Sequence, residues 1–480
     1  MGMARCRAQA GEIRSRYYSA MRKVRVVASV CAAVCLSCAL FSFQGEAQTA
    51  TDMPVLKGLA PVTALANTPE GRAALAANYS VTGGIQTGEI RQPTLLPFAE
   101  QEQLALRDAF ITGGNVAELA DGLGTTLGAA YVARAHYIDR TRYTSVSPAI
   151  ADLIAYANTI TAANSNSGKY FFANETTEGK TPVSGEAMAI LQSIDGHTDM
   201  FGTNYGLPAG SPGGDKYGDS RPFQTEPSVV RFTGLDYFNV PADNVVYNRG
   251  PISNLIDSPS YPSGHTTYGY TGALLLAVLV PERYQQMMAR AAEYGNDRIL
   301  MGAHYAMDVM GGRTLALYDL AHLLANDPAY MGLESRHGSS IRDFPAAVKT
   351  ARAEMTMALE AGCGNKIEVC AGEDTGRLSN PAANEAFYAA TLAYNLPVVY
   401  AKTAATVEDV GKLAPEAGYL LTGAFPGLTL EQADQILTET EGPGGGFLDD
   451  GSSFGVYSRI DLYAAAGAVK RRGTPASHVQ

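Results

Sequence analysis

Two short stretches of this 480-residue chain carry residues that could do chemistry together: Tyr261-Pro262-Ser263-Gly264-His265, and Arg298 with His304 and Asp308. They supply two imidazoles, a guanidinium, a carboxylate and a tight glycine turn. That set suits holding a tetrahedral oxyanion and attacking its centre. The pattern of the second stretch predicts a helix from Arg298 through Leu324, with Gly311-Gly312 weakening its middle. On such a helix His304 and Asp308, four apart, meet on one face. A carboxylate bound to one ring nitrogen fixes the tautomer and points the other nitrogen outward. That arrangement suits a nucleophile on phosphorus that forms a phosphohistidine. Arg298 would lie about one and two-thirds turns before His304 and bend over the same ligand. Alone, a His–Asp pair at this spacing is more often a surface pair worth a few tenths of a kcal/mol. The neighbouring motif reverses that balance.

Ser263-Gly264-His265 precedes an apolar run from Tyr268 to Val280. Ser263 is a good N-cap, Gly264 lets backbone approach a ligand, and first-turn N–H groups point outward. Such a helix start binds an anion. His265 beside that anion could give a proton to a departing oxygen as general acid.

With Arg221-Pro222-Phe223 upstream, these motifs resemble the type-2 phosphatidic acid phosphatase superfamily. That superfamily includes soluble bacterial class A acid phosphatases and the vanadium haloperoxidases. Its pattern is a lysine and Arg-Pro, then Pro-Ser-Gly-His, then Ser-Arg with five residues to His and three more to Asp. The resemblance covers about residues 205 to 325 and implies roles residue by residue. Arg221 would clamp phosphate, with Ser263, Gly264 and Arg298 as further phosphate-binding residues. His265 would be the leaving-group acid, His304 the nucleophile and Asp308 its orienter. Two departures stand out. The family lysine lies seven residues before the motif arginine, where this chain has Gly214; Lys216 is the nearest replacement. The serine before the third-motif arginine is Asp297, which must point away from a phosphate or pair with an arginine.

The first 47 residues read as a secretory signal peptide. Arg22, Lys23 and Arg25 precede an apolar run from Val26 to Phe43, with cleavage expected after Ala47; a start at Met21 would give a leader of ordinary length. Four of the six cysteines lie in that leader, leaving Cys363 and Cys370 to pair as a local disulfide in an oxidising compartment. Removing the leader, with seven Lys/Arg and two Asp/Glu, takes the net charge from −11 to about −16. That acidity argues against nucleic acid and anionic membrane surfaces as partners. No other stretch is long and apolar enough to span a bilayer.

The elements around the motifs read as mainly α. Residues 48–98 lack periodicity and read as an extended N-terminal arm. Helical spacing predicts helices over 99–112, 115–138, 147–163, 185–193, 262–280, 282–294 and 298–325. Residues 164–261, dense in Gly, Ser, Asn, Pro and Tyr, read as a functional loop system. A helical-bundle phosphatase core with long irregular loops is thus expected over 99–345. A small mixed C-terminal accessory region follows over 346–480, with helical patterns over 382–394 and 429–440. The expected function is an exported, periplasmic or secreted phosphomonoesterase that needs no metal or other cofactor and acts on a small phosphorylated substrate. Two alternatives stand: a vanadate-dependent haloperoxidase, with His304 binding vanadium, and a catalytically idle phosphate- or partner-binding protein. The sequence assigns no oligomeric state.

Overall fold

Capping residues set the helix starts. Thr68, Ser147 and Asn380 each precede a proline at the first helical position, and each accepts a backbone N–H from the first turn. Asp52, Ser263, Asp343 and Asp461 cap in the same way. The computed structural model describes residues 52–89, 94–110, 113–198, 205, 207–250, 253–374 and 376–473. The leader expected over 1–47 lies outside the described residues.

The helices that bear on function are α1 (Met53–Leu59), α2 (Pro69–Thr87), α3 (Phe98–Ala109), α4 (Pro148–Asn174), α5 (Gly264–Leu279), α6 (Tyr284–Leu300), α7 (Ala306–Leu324) and α8 (Phe344–Cys363). Helices α9 (Pro381–Ala393), α10 (Leu430–Glu439) and α11 (Leu462–Arg471) follow. The expected mainly α fold is what the chain adopts. Its sheet among the described residues is one antiparallel pair, β1 (Thr233–Leu235) and β2 (Pro241–Asp243). Helix α5 is the centre. From Gly269 to Leu279 every residue is buried, so the helix is apolar all round. It packs against α4, α6, α7 and α8.

Several predicted boundaries need correction. The segment 48–98 is not an extended arm. It holds α1, a 3-10 helix over Ala60–Asn67, and α2, with Val55, Leu56, Leu59, Val62 and Leu65 in the core. The switch from α to 3-10 period within a few residues hides the apolar face from a single-period reading. Helix 115–138 is broken at Gly124, whose φ of +93° separates a 3-10 turn (Ala117–Leu123) from a short helix (Thr125–Val132). Helix 147–163 runs on to Asn174. Its extension begins Asn164-Ser165-Asn166-Ser167-Gly168, poor helix formers that tertiary packing overrides.

The expected helix over 298–325 is two helices. α6 ends at Leu300, Gly302 (φ +73°) turns the chain, and α7 begins at Ala306. Gly311-Gly312 does not weaken α7, because both sites are close approaches. A Cβ at Gly312 would stand 2.4 Å from the Ser263 carbonyl oxygen, and one at Gly311 2.7 Å from the Tyr261 ring. The C-terminal region is helical rather than mixed among its described residues. Tyr388, Leu392, Ile436, Phe447 and Val469 join the same apolar cluster as α5. Arg313 of α7 ties in there, donating to the carbonyls of Thr391, Leu392 and Ser458.

Candidate active site

The α6–α7 connection places His304 before α7 rather than on it. The N–H groups of Ala303 and His304 both bond to the Arg298 carbonyl, at 3.1 and 3.2 Å, which folds the turn back on α6. Asp308 sits in the first turn of α7, and its Oδ2 accepts the Tyr305 N–H at 2.8 Å. The expected His–Asp pair therefore forms by a different route: His304 Nδ1 lies 3.4 Å from Asp308 Oδ2 across the helix start. Ser260 Oγ donates to the same carboxylate oxygen and stands 3.4 Å from His304 Nδ1. Helix α2 secures this start. Thr82 Oγ1 accepts the Ala306 N–H at 3.1 Å and Asn78 Oδ1 the Met307 N–H at 3.0 Å, satisfying donors that a helix start leaves unpaired.

Ser263 caps α5 through the Thr266 N–H, at 3.1 Å, and its own N–H bonds to the Asp308 carbonyl at 3.0 Å. The two motifs are thus sewn together by backbone. His265 Nδ1 comes within 3.4 Å of His304 Nε2, so the imidazoles converge. Tyr247, which no sequence motif singles out, holds the other side of His265, with its hydroxyl 2.7 Å from Nε2. Burial keeps Tyr247 protonated. One assignment satisfies every neighbour: Tyr247 donates to His265 Nε2, leaving an Nδ1–H that faces His304 Nε2. His304 then carries its proton on Nδ1, toward Asp308.

Both arginines are fully buried. Arg221 is fixed by the carbonyls of Ser258 (2.7 Å), Pro259 (3.0 Å) and Ala303 (2.9 Å), and its Nη1 lies 3.0 Å from His304 Nε2. Arg298 lies over the Tyr294 ring, 4.7 Å from its centroid, and donates to the carbonyls of Tyr294 and Ala105. Its Nη1 is buried without a hydrogen-bond partner.

Lys216 does not join them. It is exposed and lies over the Tyr217 ring, 5.2 Å from the centroid, so the expected lysine replacement is corrected. Lys169 of α4 is the buried lysine here, in the stretch read as loop. A Cβ at Gly264 would stand 3.6 Å from its Nζ and 3.5 Å from Ser165 Oγ. The only sequence signal was weak: one lysine among small polar residues after an apolar helix.

Burial and the cations set the protonation states. His304 is held well below the usual imidazole range by burial, then by Arg221, His265, Lys169 and Arg298. His265 is depressed by burial, then by Arg298, Arg221 and Lys169. Burial pushes Asp308 up to about 7, against the pull of Ser260, the Tyr305 N–H, Arg221 and Lys169. Asp297 is fully buried, and burial followed by Asp108 and Glu293 raises it well above the carboxylate range. Held protonated, it carries no charge to repel a phosphate. Cys363 and Cys370 are bonded to each other at the end of α8.

Residues 216–325 match the family model described as the PAP2 superfamily, a span that holds Arg221, Ser263–His265, Arg298, His304 and Asp308 but not Lys169. A non-specific acid phosphatase of Salmonella typhimurium is 45% identical over 64 residues, 13% of this chain and 26% of that protein. An acid phosphatase of Zymomonas mobilis is 36% identical over 99 residues, 21% of this chain and 32% of its own length. A non-specific acid phosphatase of Providencia stuartii is 39% identical over 67 residues, 14% of this chain and 27% of its own. The matched region thus spans between a quarter and a third of these relatives.

Proposed function

We propose that this chain is an exported phosphomonoesterase acting through a phosphohistidine on His304. One observation carries the reading: two imidazoles face each other at 3.4 Å inside a shell holding two buried arginines. Arg221, Arg298 and the first-turn N–H groups of α5 would hold the phosphoryl oxygens, gaining strength as charge redistributes toward the transition state. His304 Nε2 attacks phosphorus, forming N–P while the P–O bond to the alcohol breaks. The leaving oxygen takes the proton from His265. Water then attacks the phosphohistidine, with His265 as base, releasing phosphate and restoring both rings. A depressed His304 favours this, since only the neutral ring has a free lone pair. His265 must be protonated first, and a bound phosphate dianion would offset the arginine charges that depress it. A phosphoryl group between the rings needs more room than 3.4 Å, so binding must separate them.

The acid phosphatases that resemble residues within 216–325 support this reading, as does the basic-then-apolar leader for export. Among the described residues no helix is long and apolar enough to cross a membrane. The arginines supply the charge a metal would otherwise bring, so a chelator should leave turnover unchanged. The deciding test is phosphate release from p-nitrophenyl phosphate, with rapid quench of the enzyme during turnover. Acid-labile phosphate bound to wild-type protein, absent together with turnover in His304→Ala, is the expected result. Full turnover in His304→Ala would end the proposal.

A further inference from the structure

Lys169 is 7% exposed, and among the described residues it makes no hydrogen bond or ion pair. An ammonium buried without a counter-ion is costly and persists where something else answers its charge. One turn earlier on α4, Ser165 Oγ is likewise buried without a partner. Both atoms border the Gly264 position, at the start of the helix whose first-turn N–H groups face the site. Arg298, like Lys169, acts electrostatically on His265 from within the same site. Two groups on one helix are thus left unanswered beside the start of α5.

Building on the phosphatase reading above, we propose that Lys169 of α4 binds a phosphoryl oxygen, with Ser165 as a neighbouring donor. It would replace the loop lysine that this chain lacks. The site then draws its cations from three places: Arg221 in the loop, Arg298 at the end of α6, and Lys169 on α4. Lys169 lies outside the residues that match the family model.

This assignment has a pH signature. Burial, and then Arg221, lower the Lys169 ammonium to about 7, with Asp219 and Asp308 opposing. Its charge is therefore present below about pH 7 and lost above it, so anion affinity should fall as pH rises through neutrality. The other titratable groups around it are His265, His304, Asp219 and Asp308. Both imidazoles titrate well below this window. Asp219 is raised well above the carboxylate range, while Asp308, raised to about 7, would also weaken anion binding as it ionises.

The test uses sulfate, a dianion throughout, bound to the full chain and followed by calorimetry between about pH 6 and about pH 8. Wild type should weaken across that range. Lys169→Met should bind sulfate about ten- to a hundredfold more weakly at the acidic end, as for loss of a charged hydrogen bond. Its pH profile should be clearly shallower than the wild type's, keeping only what the ionisation of Asp308 contributes. Lys169→Arg should restore much of the affinity and lower the KM for p-nitrophenyl phosphate relative to Lys169→Met. A folded Lys169→Met with wild-type affinity would overturn the proposal. So would a slope as steep as the wild type's in that variant, because all of it would then belong to Asp308 or Asp219. If Lys169→Met does not fold, the wild-type profile and Lys169→Arg decide: a flat wild-type profile refutes the assignment. Sulfate binding is read without turnover, so a failed catalytic reading leaves this result independent.

Discussion

His304 gains its character from what surrounds each ring nitrogen. Nδ1 meets Asp308 and Ser260, and Nε2 meets Arg221 and His265. Removing the carboxylate should cost orientation more than binding. Asp308→Ala is expected to lower kcat about a hundred- to ten-thousand-fold with little change in KM, by analogy with other histidines held by an aspartate. Steady-state kinetics on p-nitrophenyl phosphate would check this, and an unchanged kcat would remove Asp308 from its role. Tyr247 holds His265 in the same manner from the opposite side, at 2.7 Å. Tyr247→Phe should leave His304 phosphorylation intact only if the proton donor keeps its orientation. We expect a several-fold fall in kcat for substrates with poor leaving groups and almost none for p-nitrophenyl phosphate, whose leaving oxygen needs little protonation. Equal losses for both substrates would argue against His265 as the acid.

Helices deliver these side chains through close backbone approach. The glycine pair that looks like a flaw in α7 is where α7 meets the Ser263 turn. Gly312→Ala would set a methyl 2.4 Å from the Ser263 carbonyl oxygen, a backbone atom with little freedom to move. Overpacking of that kind costs about 1–3 kcal/mol. Because the displaced turn carries His265, the variant should lose activity well beyond what its thermal shift explains. Calorimetry and kinetics on the same preparation would test this; unchanged activity would show that the turn tolerates the shift. Helix α2, read from sequence as an arm, is the other positioning element. Asn78 and Thr82 anchor the start of α7, and Gln86 Nε2 bonds the Ile299 carbonyl at 3.2 Å. The helix tethers both ends of the connection that carries His304.

At the scale of the molecule, buried carboxyls set the response to pH. Glu118, pushed up to about 7, is bonded by the hydroxyls of Tyr268 and Tyr137 at 2.8 and 2.9 Å. Asp219, Asp297, Asp308 and Asp319 are likewise fully buried carboxyls whose folded values are raised by burial. A raised carboxyl favours folding below its unfolded value near 4, and that contribution is lost as pH rises through the folded value. His265 and His304 are lowered and act the other way: their contribution is present above about 6.5 and is lost as pH falls. The carboxyls outnumber the imidazoles. Tm should therefore fall as pH rises from about 5 to about 7, measured by calorimetry at constant ionic strength. A Tm that climbs over that interval would show that these carboxyls are not protonated in the fold.

The helical class, the convergence of His265 with His304, and the cysteine pairing were legible in the sequence. Each rests on short-range rules: caps and apolar spacing for helices, and fixed residue types a few positions apart for the motifs. The legibility ended where distant segments meet. The α1–α2 region hid because its period changes within a few residues. The break between α6 and α7 hid because Gly302 turns the chain inside an apolar pattern that runs on unbroken. Lys216 was singled out by its place along the chain, whereas in the fold it is exposed and Lys169 borders Gly264. The sequence by itself determined which chemistry could be assembled, since that is a matter of residue types. Only tertiary packing decided which cation faces Gly264, since α4 must lie against α5 before Lys169 and the Ser263 turn share a site.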